Sequence, residues 1–182
     1  MLDYYTRDNP LRAGCPTTQA ADSSKKKTKP VIAFLDRQDS RRRSMANAPE
    51  ILKQLQDAGY DQVVYAPSFH NMSMVEQIKF MSQVDILMGP HGAQFTTTLF
   101  QPDCGSLLEF FPSKYYAPGW FGSLIALSGK HHYFIYNGGE LALSEGRQQV
   151  NYMVSPQAVE QLTHVMVSQW HTCCANQRSH GV

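Results

Sequence analysis

No apolar run in this 182-residue chain comes near the ~18 residues of a membrane-crossing helix. The first thirty residues carry no apolar core of a secretory signal. Charge is scarce: Asp, Glu, Lys and Arg make up 17% of the chain, and 16 basic side chains nearly cancel 15 acidic ones. Such a balance exerts no bulk pull on nucleic acid or anionic membrane, so no nucleic-acid partner is expected. There is no G-K-[ST] of a Walker loop, no G-x-G-x-x-G, no G-x-S-x-G elbow, no H-E-x-x-H and no paired-acid motif. The common signatures of NTPases, dinucleotide enzymes, serine hydrolases and zinc proteases are therefore absent. The four cysteines, Cys15, Cys104, Cys173 and Cys174, have no C-x-x-C or Cys/His zinc spacing, so no metal site is expected. The adjacent Cys173 and Cys174 read as incidental, and a bridge from Cys104 to one of them is open in an oxidising compartment. Asn71-Met72-Ser73 is a glycosylation sequon, a triplet that also arises often by chance.

What is present suffices for a core. Hydrophobic residues are 42% and aromatics 11%, in a length that suits one ordinary domain and not two. Residues 1–30 are broken by Asn9-Pro10 and Cys15-Pro16 and read as a linker or the remnant of an N-terminal domain. Lys25-Lys26-Lys27-Thr28-Lys29 reads as a solvated entry to the first regular strand. The ordered domain is expected over 31–172, with a frayed tail over 173–182.

From Val31 the pattern is regular. Val31–Leu35, Val63–Ala66, Val84–Met88, Ser106–Phe111 and His132–Tyr136 are short, nearly continuous apolar runs, as expected of strands covered on both faces. Helical stretches alternate with them. Asn47-Ala48-Pro49-Glu50 reads as a helix start, Ile51, Leu52, Leu55 and Ala58 as its apolar stripe, and Gly59 as its stop. Ser73-Met74-Val75-Glu76 is a capping box. A short helix is expected at 96–100 and another within 115–128. Ser155-Pro156 opens a last helix carrying Val159, Leu162, Val165, Met166 and Trp170. Alternating strands and helices of this kind predict an α/β, Rossmann-like fold: a parallel sheet flanked by helices on both faces. In such sheets ligands bind beyond the carboxyl ends of the strands.

Three constellations fall at those ends. Gly89-Pro90-His91-Gly92-Ala93-Gln94 links a strand to a helix, where free amides and a positive dipole end suit a diphosphate. Thr96, Thr97 and Thr98 add hydroxyls, and a protonated His91 would add a charge-assisted hydrogen bond. An ordinary tight turn with a capping histidine reads equally well. The second constellation is Arg37, Arg41, Arg42 and Arg43, since Arg forks onto phosphate. The third is Glu109, a carboxylate inside an apolar strand that must be paired or face a cleft, where it could accept from a ribose diol. Asp85 reads as a turn residue. The His131-His132 pair reads as a strand boundary, and Tyr115, Tyr116, Trp120 and Phe121 as packing or stacking groups.

Taken together, Arg37…Arg42-Arg43…Asn47, Ser73-x-x-Glu76-Gln77, the run Val84–Ala93, Leu99-Phe100 and Leu108-Glu109-Phe110-Phe111-Pro112 resemble the core of glycosyltransferase family 61 over about residues 31–137. That family includes plant xylosyl- and arabinosyltransferases and an animal O-GlcNAc transferase. Gln94 and Thr97 stand where the family usually has Gly and Asn. The resemblance implies the C-terminal, donor-binding half of a GT-B glycosyltransferase. It implies inverting, metal-independent transfer of xylose, arabinose or GlcNAc from a UDP-sugar to a glycan or protein hydroxyl, with no further cofactor and in the ER–Golgi lumen. It carries a donor-binding role onto Arg37, Arg43, Asn47, Glu76, Gln77, His91, Gly92, Ala93 and Glu109, with Thr96 and Thr97 beside them. The catalytic base is not assigned. The competing expectation is a catalytically inactive fragment or divergent homologue that keeps the fold and acts by nucleotide or partner binding. A flavodoxin-like regulatory domain, with Asp36 as a loose phosphoacceptor match, is a third.

Overall fold

Two hydrophobic faces decide the architecture. The computed structural model describes residues 3–4, 14–15, 29–38, 44–113, 115–136 and 153–179. Among these, the chain runs β1 (Asp3–Tyr4), β2 (Ile32–Leu35), α1 (Ala48–Asp57), β3 (Val63–Ala66), α2 (Met74–Met81) and β4 (Ile86–Pro90). A 3-10 helix (Ala93–Phe100), β5 (Ser106–Phe111), α3 (Gly119–Leu127), β6 (His131–Tyr136) and α4 (Pro156–Ser179) follow. The strands form one parallel sheet in the order β1-β3-β2-β4-β5-β6. This is the Rossmann-like α/β fold expected from the alternation. The edge strand β1, two residues long, lies in the stretch read from sequence as a linker or remnant.

Successive side chains on a strand point to opposite faces. Ile32, Phe34, Val63, Tyr65, Ile86, Met88, Leu108 and Phe110 meet α1 and α4, through Ile51, Leu52, Leu55, Val159 and Met166. Ala33, Leu35, Val64, Ala66, Leu87 and Leu107 meet α2, the 3-10 helix and α3, through Phe80, Met81, Phe95, Phe121 and Ile125. Both faces are covered, which is why β2 to β5 carry no alternating polar residues. Glu109 is the exception and falls on the second face, under α3.

Local signals act as expected in two places and differently in a third. Gly59 ends α1 with φ +86. Ser73 and Glu76 cap α2 reciprocally: Ser73 Oγ accepts from the Glu76 amide at 3.3 Å and Glu76 Oε2 accepts from the Ser73 amide at 2.8 Å. Gln77 donates to the Met72 carbonyl at 3.0 Å, so this box is committed to starting a helix. Asn47 sits at the N-cap of α1, yet its side chain makes no cap bond. It donates to the Val154 carbonyl at 2.7 Å and accepts from the Val154 amide at 3.3 Å, tying α1 to the start of α4.

The chain order places β2 beside β4, with β3 reached on one side and β5 on the other. The carboxyl ends of β2 and β4 thus form the topological switch point, where doubly wound sheets open a crevice. Close approach there depends on Gly89. A Cβ at this position would stand 2.1 Å from the Leu35 carbonyl oxygen.

The cysteines, uninformative as a sequence pattern, pair as Cys15–Cys174 and Cys104–Cys173. Helix α4 consequently continues through the expected frayed tail as far as Ser179, its C-terminal turns held to the turn before β5 around buried Trp170. Three of these sulfurs, of Cys15, Cys104 and Cys174, lie within 4.8 Å of one another, but all are consumed in disulfides and offer no thiolate to a metal. Closing a loop by a bridge restricts the unfolded chain. The double variant Cys104→Ser/Cys173→Ser is therefore expected to lose about 2–4 kcal/mol, read as a lower urea midpoint with the m-value raised by the freer unfolded chain.

Candidate functional site

The switch point is organised by a buried acid at the end of β2. Asp36 is 1% exposed. Its Oδ1 accepts from the amides of Arg37 at 2.7 Å and Met45 at 3.1 Å, and its Oδ2 accepts from the Tyr65 hydroxyl at 3.0 Å. These bonds fold the chain after β2 back over the sheet. They also remove Asp36 as an accessible phosphoacceptor.

Arg37 leaves this turn half-buried and donates from Nη1 to the carbonyl of His91 at 3.0 Å. Its side chain lies across Gly92, where a Cβ would meet Nη1 at 2.4 Å and Cζ at 3.0 Å. Gly92 is extended (φ 177), so the glycine is required by the arginine's approach and not by backbone strain. Arg37, Gly92 and exposed Ala93 thus come together at the start of the 3-10 helix. Gln94 donates to the Leu35 carbonyl at 3.3 Å. Arg43, with Arg41 and Arg42, lies outside the described residues, as do residues 137–139.

The threonines do not present free hydroxyl hydrogens. Thr96, Thr97 and Thr98 donate to the carbonyls of Ala93, Gln94 and Phe95, at 2.9, 2.7 and 2.6 Å. Thr96 is exposed, whereas Thr97 and Thr98 are buried. Asn47 and the Glu76-Gln77 pair are occupied as described above.

His91 and Glu109 are brought together, but inside the protein. Glu109 is wholly buried and His91 is 5% exposed. His91 Nδ1 stands 2.5 Å from Glu109 Oε1, and His132 Nε2 stands 2.9 Å from Glu109 Oε2. A carboxylate only accepts, so both imidazoles donate to it. The Tyr115 hydroxyl lies 3.1 Å from His91 Nε2. The His91 ring packs against Phe111, Tyr115 and Phe121, with centroids 5.1–5.2 Å away. It is thus turned under α3, while the Arg37 guanidinium sits on the backbone of the same turn. Glu109 has both oxygens on histidines and no exposure through which to reach a ribose.

The sequence reads His132 as a strand boundary and Tyr115 as a packing or stacking group, not as members of this cluster. Only the sheet explains them. β5 and β6 pair with Leu107 opposite His132, which puts His132 on the Glu109 face, one diagonal step away. Gly122 of α3 makes room for it: a Cβ there would lie 2.7 Å from His132 Nδ1. Gly122→Ala is expected to push the imidazole off Glu109, seen as a shift of the His132 ring resonances at a modest cost of about 1–3 kcal/mol.

Far from this switch point, at the amino ends of the strands, a cavity of about 190 Å³ is lined by Lys29, Ile32, Tyr60, Asp61, Val167 and His171 among others. The Tyr60 phenol there is pushed above its ordinary range by burial and then by Glu160.

Fold and site together define a Rossmann-like α/β domain. The carboxyl end of its sheet carries an arginine laid across a glycine turn, backed by the buried His91–Glu109 pair and half-buried His132. The sequence profile of glycosyltransferase 61 matches residues 9–108, more than half of the chain, and the chain belongs to that family. It is 31% identical over 86 residues to the alpha-1,3-arabinosyltransferase XAT2 of Oryza sativa subsp. japonica. That stretch is 47% of this chain and 14% of the relative, so the chain spans a small part of the length of the curated protein it matches.

Proposed function

We propose that this chain is the donor-binding half of a GT-B glycosyltransferase that takes a sugar from a UDP-sugar to a glycan or protein hydroxyl. The donor sugar belongs to the xylose, arabinose or GlcNAc class, and arabinose is favoured by the name of the relative. Transfer is inverting and needs no metal in this reading, and the whole protein works in the ER–Golgi lumen, where disulfides persist.

The observation that carries the reading is the Arg37 side chain across Gly92 at the switch point. A pyrophosphate resting there meets a guanidinium and the leading amides of the 3-10 helix. Both are suited to a compact anion. Inverting transfer forms a bond from the acceptor oxygen to the anomeric carbon as the bond to UDP breaks. Charge therefore grows on the leaving pyrophosphate, and a fixed cation beside it stabilises that charge.

The test is calorimetry with UDP on the folded chain. Saturable binding is expected. Arg37→Ala should weaken it by about 1–3 kcal/mol, the range for a charge-assisted hydrogen bond. Gly92→Ala should weaken it in the same direction by displacing Arg37. No heat up to millimolar UDP from protein with a cooperative melt would overturn the reading.

A further inference from the structure

The chain Tyr115–His91–Glu109–His132 joins four side chains, three of which lie beyond residue 108, where the family match ends. Its middle, His91 and Glu109, is buried, and its His132 end is half-buried against α3 and β5. Its outer end is Tyr115, half-buried in the segment just after the carboxyl end of β5. We propose that Tyr115 is the ligand-facing end of this chain, and that the proton on His91 sets whether its hydroxyl donates to the ligand or accepts from it. This rests on the donor-binding reading above.

The argument is one of hydrogen-bond polarity. Glu109 fixes a hydrogen on His91 Nδ1, because a carboxylate can only accept. When the ring is neutral, Nε2 is a lone pair. The Tyr115 hydrogen then points inward to it, and the phenol oxygen offers only lone pairs outward. When the ring is protonated, Nε2–H donates to the Tyr115 oxygen and turns the phenol hydrogen outward. An outward hydrogen suits a phosphate oxygen; an outward lone pair suits a sugar hydroxyl. In the neutral-ring state the chain can also take a proton from such a hydroxyl. That proton moves to the Tyr115 oxygen, the phenol proton moves to His91 Nε2, and the resulting imidazolium is balanced by Glu109.

The described residues bring these titratable and charged groups to His91. Glu109 comes from β5 and Tyr115 from the segment before α3. His132, from β6, acts through Glu109, and Arg37, from the end of β2, sits on the His91 carbonyl. The rings of Phe111 and Phe121 also pack against His91 and do not titrate. His132 is a positioning residue in this scheme. Removing its N–H leaves Glu109 with one donor fewer, so the His91 hydrogen bond carries more of the carboxylate's charge.

Two measurements on the full chain decide the proposal. The first is long-range proton–nitrogen NMR of the histidine rings at pH 5 and pH 8. Wild type at pH 8 should show His91 as the Nδ1–H tautomer, and Tyr115→Phe should shift Nε2 while leaving Nδ1 nearly in place. A His91 hydrogen on Nε2 in the neutral ring overturns the proposal, and so do nitrogen shifts indifferent to Tyr115→Phe. The tautomer is read on wild type, so it does not depend on a variant folding.

The second is UDP affinity across the same pH range, as the ratio of wild type to Tyr115→Phe. UDP's own titration is common to both and cancels. The ratio should favour wild type by about tenfold where the spectra show the His91 ring protonated, the loss expected for one hydrogen bond to a charged group, and approach one where they show it neutral. His132→Phe should move this transition. A pH-independent ratio overturns the proposal. If wild type binds no UDP at any pH, the donor-binding reading fails, while the NMR result still decides the polarity of the chain.

Discussion

Gly89→Ala is expected to abolish folding, or to leave a protein that melts far below wild type. The new methyl would lie 2.1 Å from the Leu35 carbonyl oxygen, and that atom is backbone of the neighbouring central strand. A flexible side chain could rotate away. The oxygen cannot, because β2 is paired on both sides, with β3 and with β4. Relief requires the ends of β2 and β4 to separate. A loss on the order of 4 kcal/mol or more follows, a large share of the 5–15 kcal/mol by which domains are stable. Circular dichroism and a urea titration check it, and a Gly89→Ala protein with a wild-type midpoint would refute the close approach. Gly92→Ala is the matched control: its methyl meets only the far end of the Arg37 side chain, so the fold should survive while that side chain moves.

Glu109→Leu should cost about 3–5 kcal/mol, the range for removing one partner of a buried charge cluster. The leucine is apolar and close in size, so little packing is lost. The penalty comes from His91, left with a buried ring nitrogen and no acceptor, and from half-buried His132, which loses its acceptor. Glu109→Gln should cost less, about 1–3 kcal/mol, since the amide oxygen still accepts from one imidazole and its nitrogen forces the other to change tautomer. The ordering separates two accounts of this residue. A side chain reserved for a ribose diol would be exposed, and its replacement by leucine would leave stability nearly unchanged. Melting curves of the two variants against wild type distinguish them. By the same reasoning His91→Ala is first a stability variant, because its ring fills the space between Phe111, Tyr115 and Phe121.

Much of the scaffold was legible in the residues. Continuous apolar runs announced strands, and the five described beyond residue 30 fall where the runs fall; β2 to β5 are covered on both faces, as the runs imply, while the edge strand β6 is only partly covered. Gly59 stopped a helix and Ser73 with Glu76 started one for reasons carried within a few residues of chain. The family motifs drew attention to the turn after β4, and the glycines there are explained by contacts across the switch point. Other readings turned on partners distant in sequence. Asn47 read as a cap and a donor-binding residue, yet its side chain spends both polar atoms on Val154, 107 residues away. The adjacent cysteines read as incidental, and each found a different partner.

The sequence alone determined the class of fold and the end of the sheet at which to look, because periodicity and turn chemistry are local properties of the chain. Tertiary structure decided which way the side chains in that turn face. Whether His91 meets solvent or Glu109, and whether Glu109 meets a ligand or two imidazoles, depends on strand register and on the helix laid over it. Burial makes those choices, since a carboxylate taken out of water must find its donors wherever the packed chain supplies them.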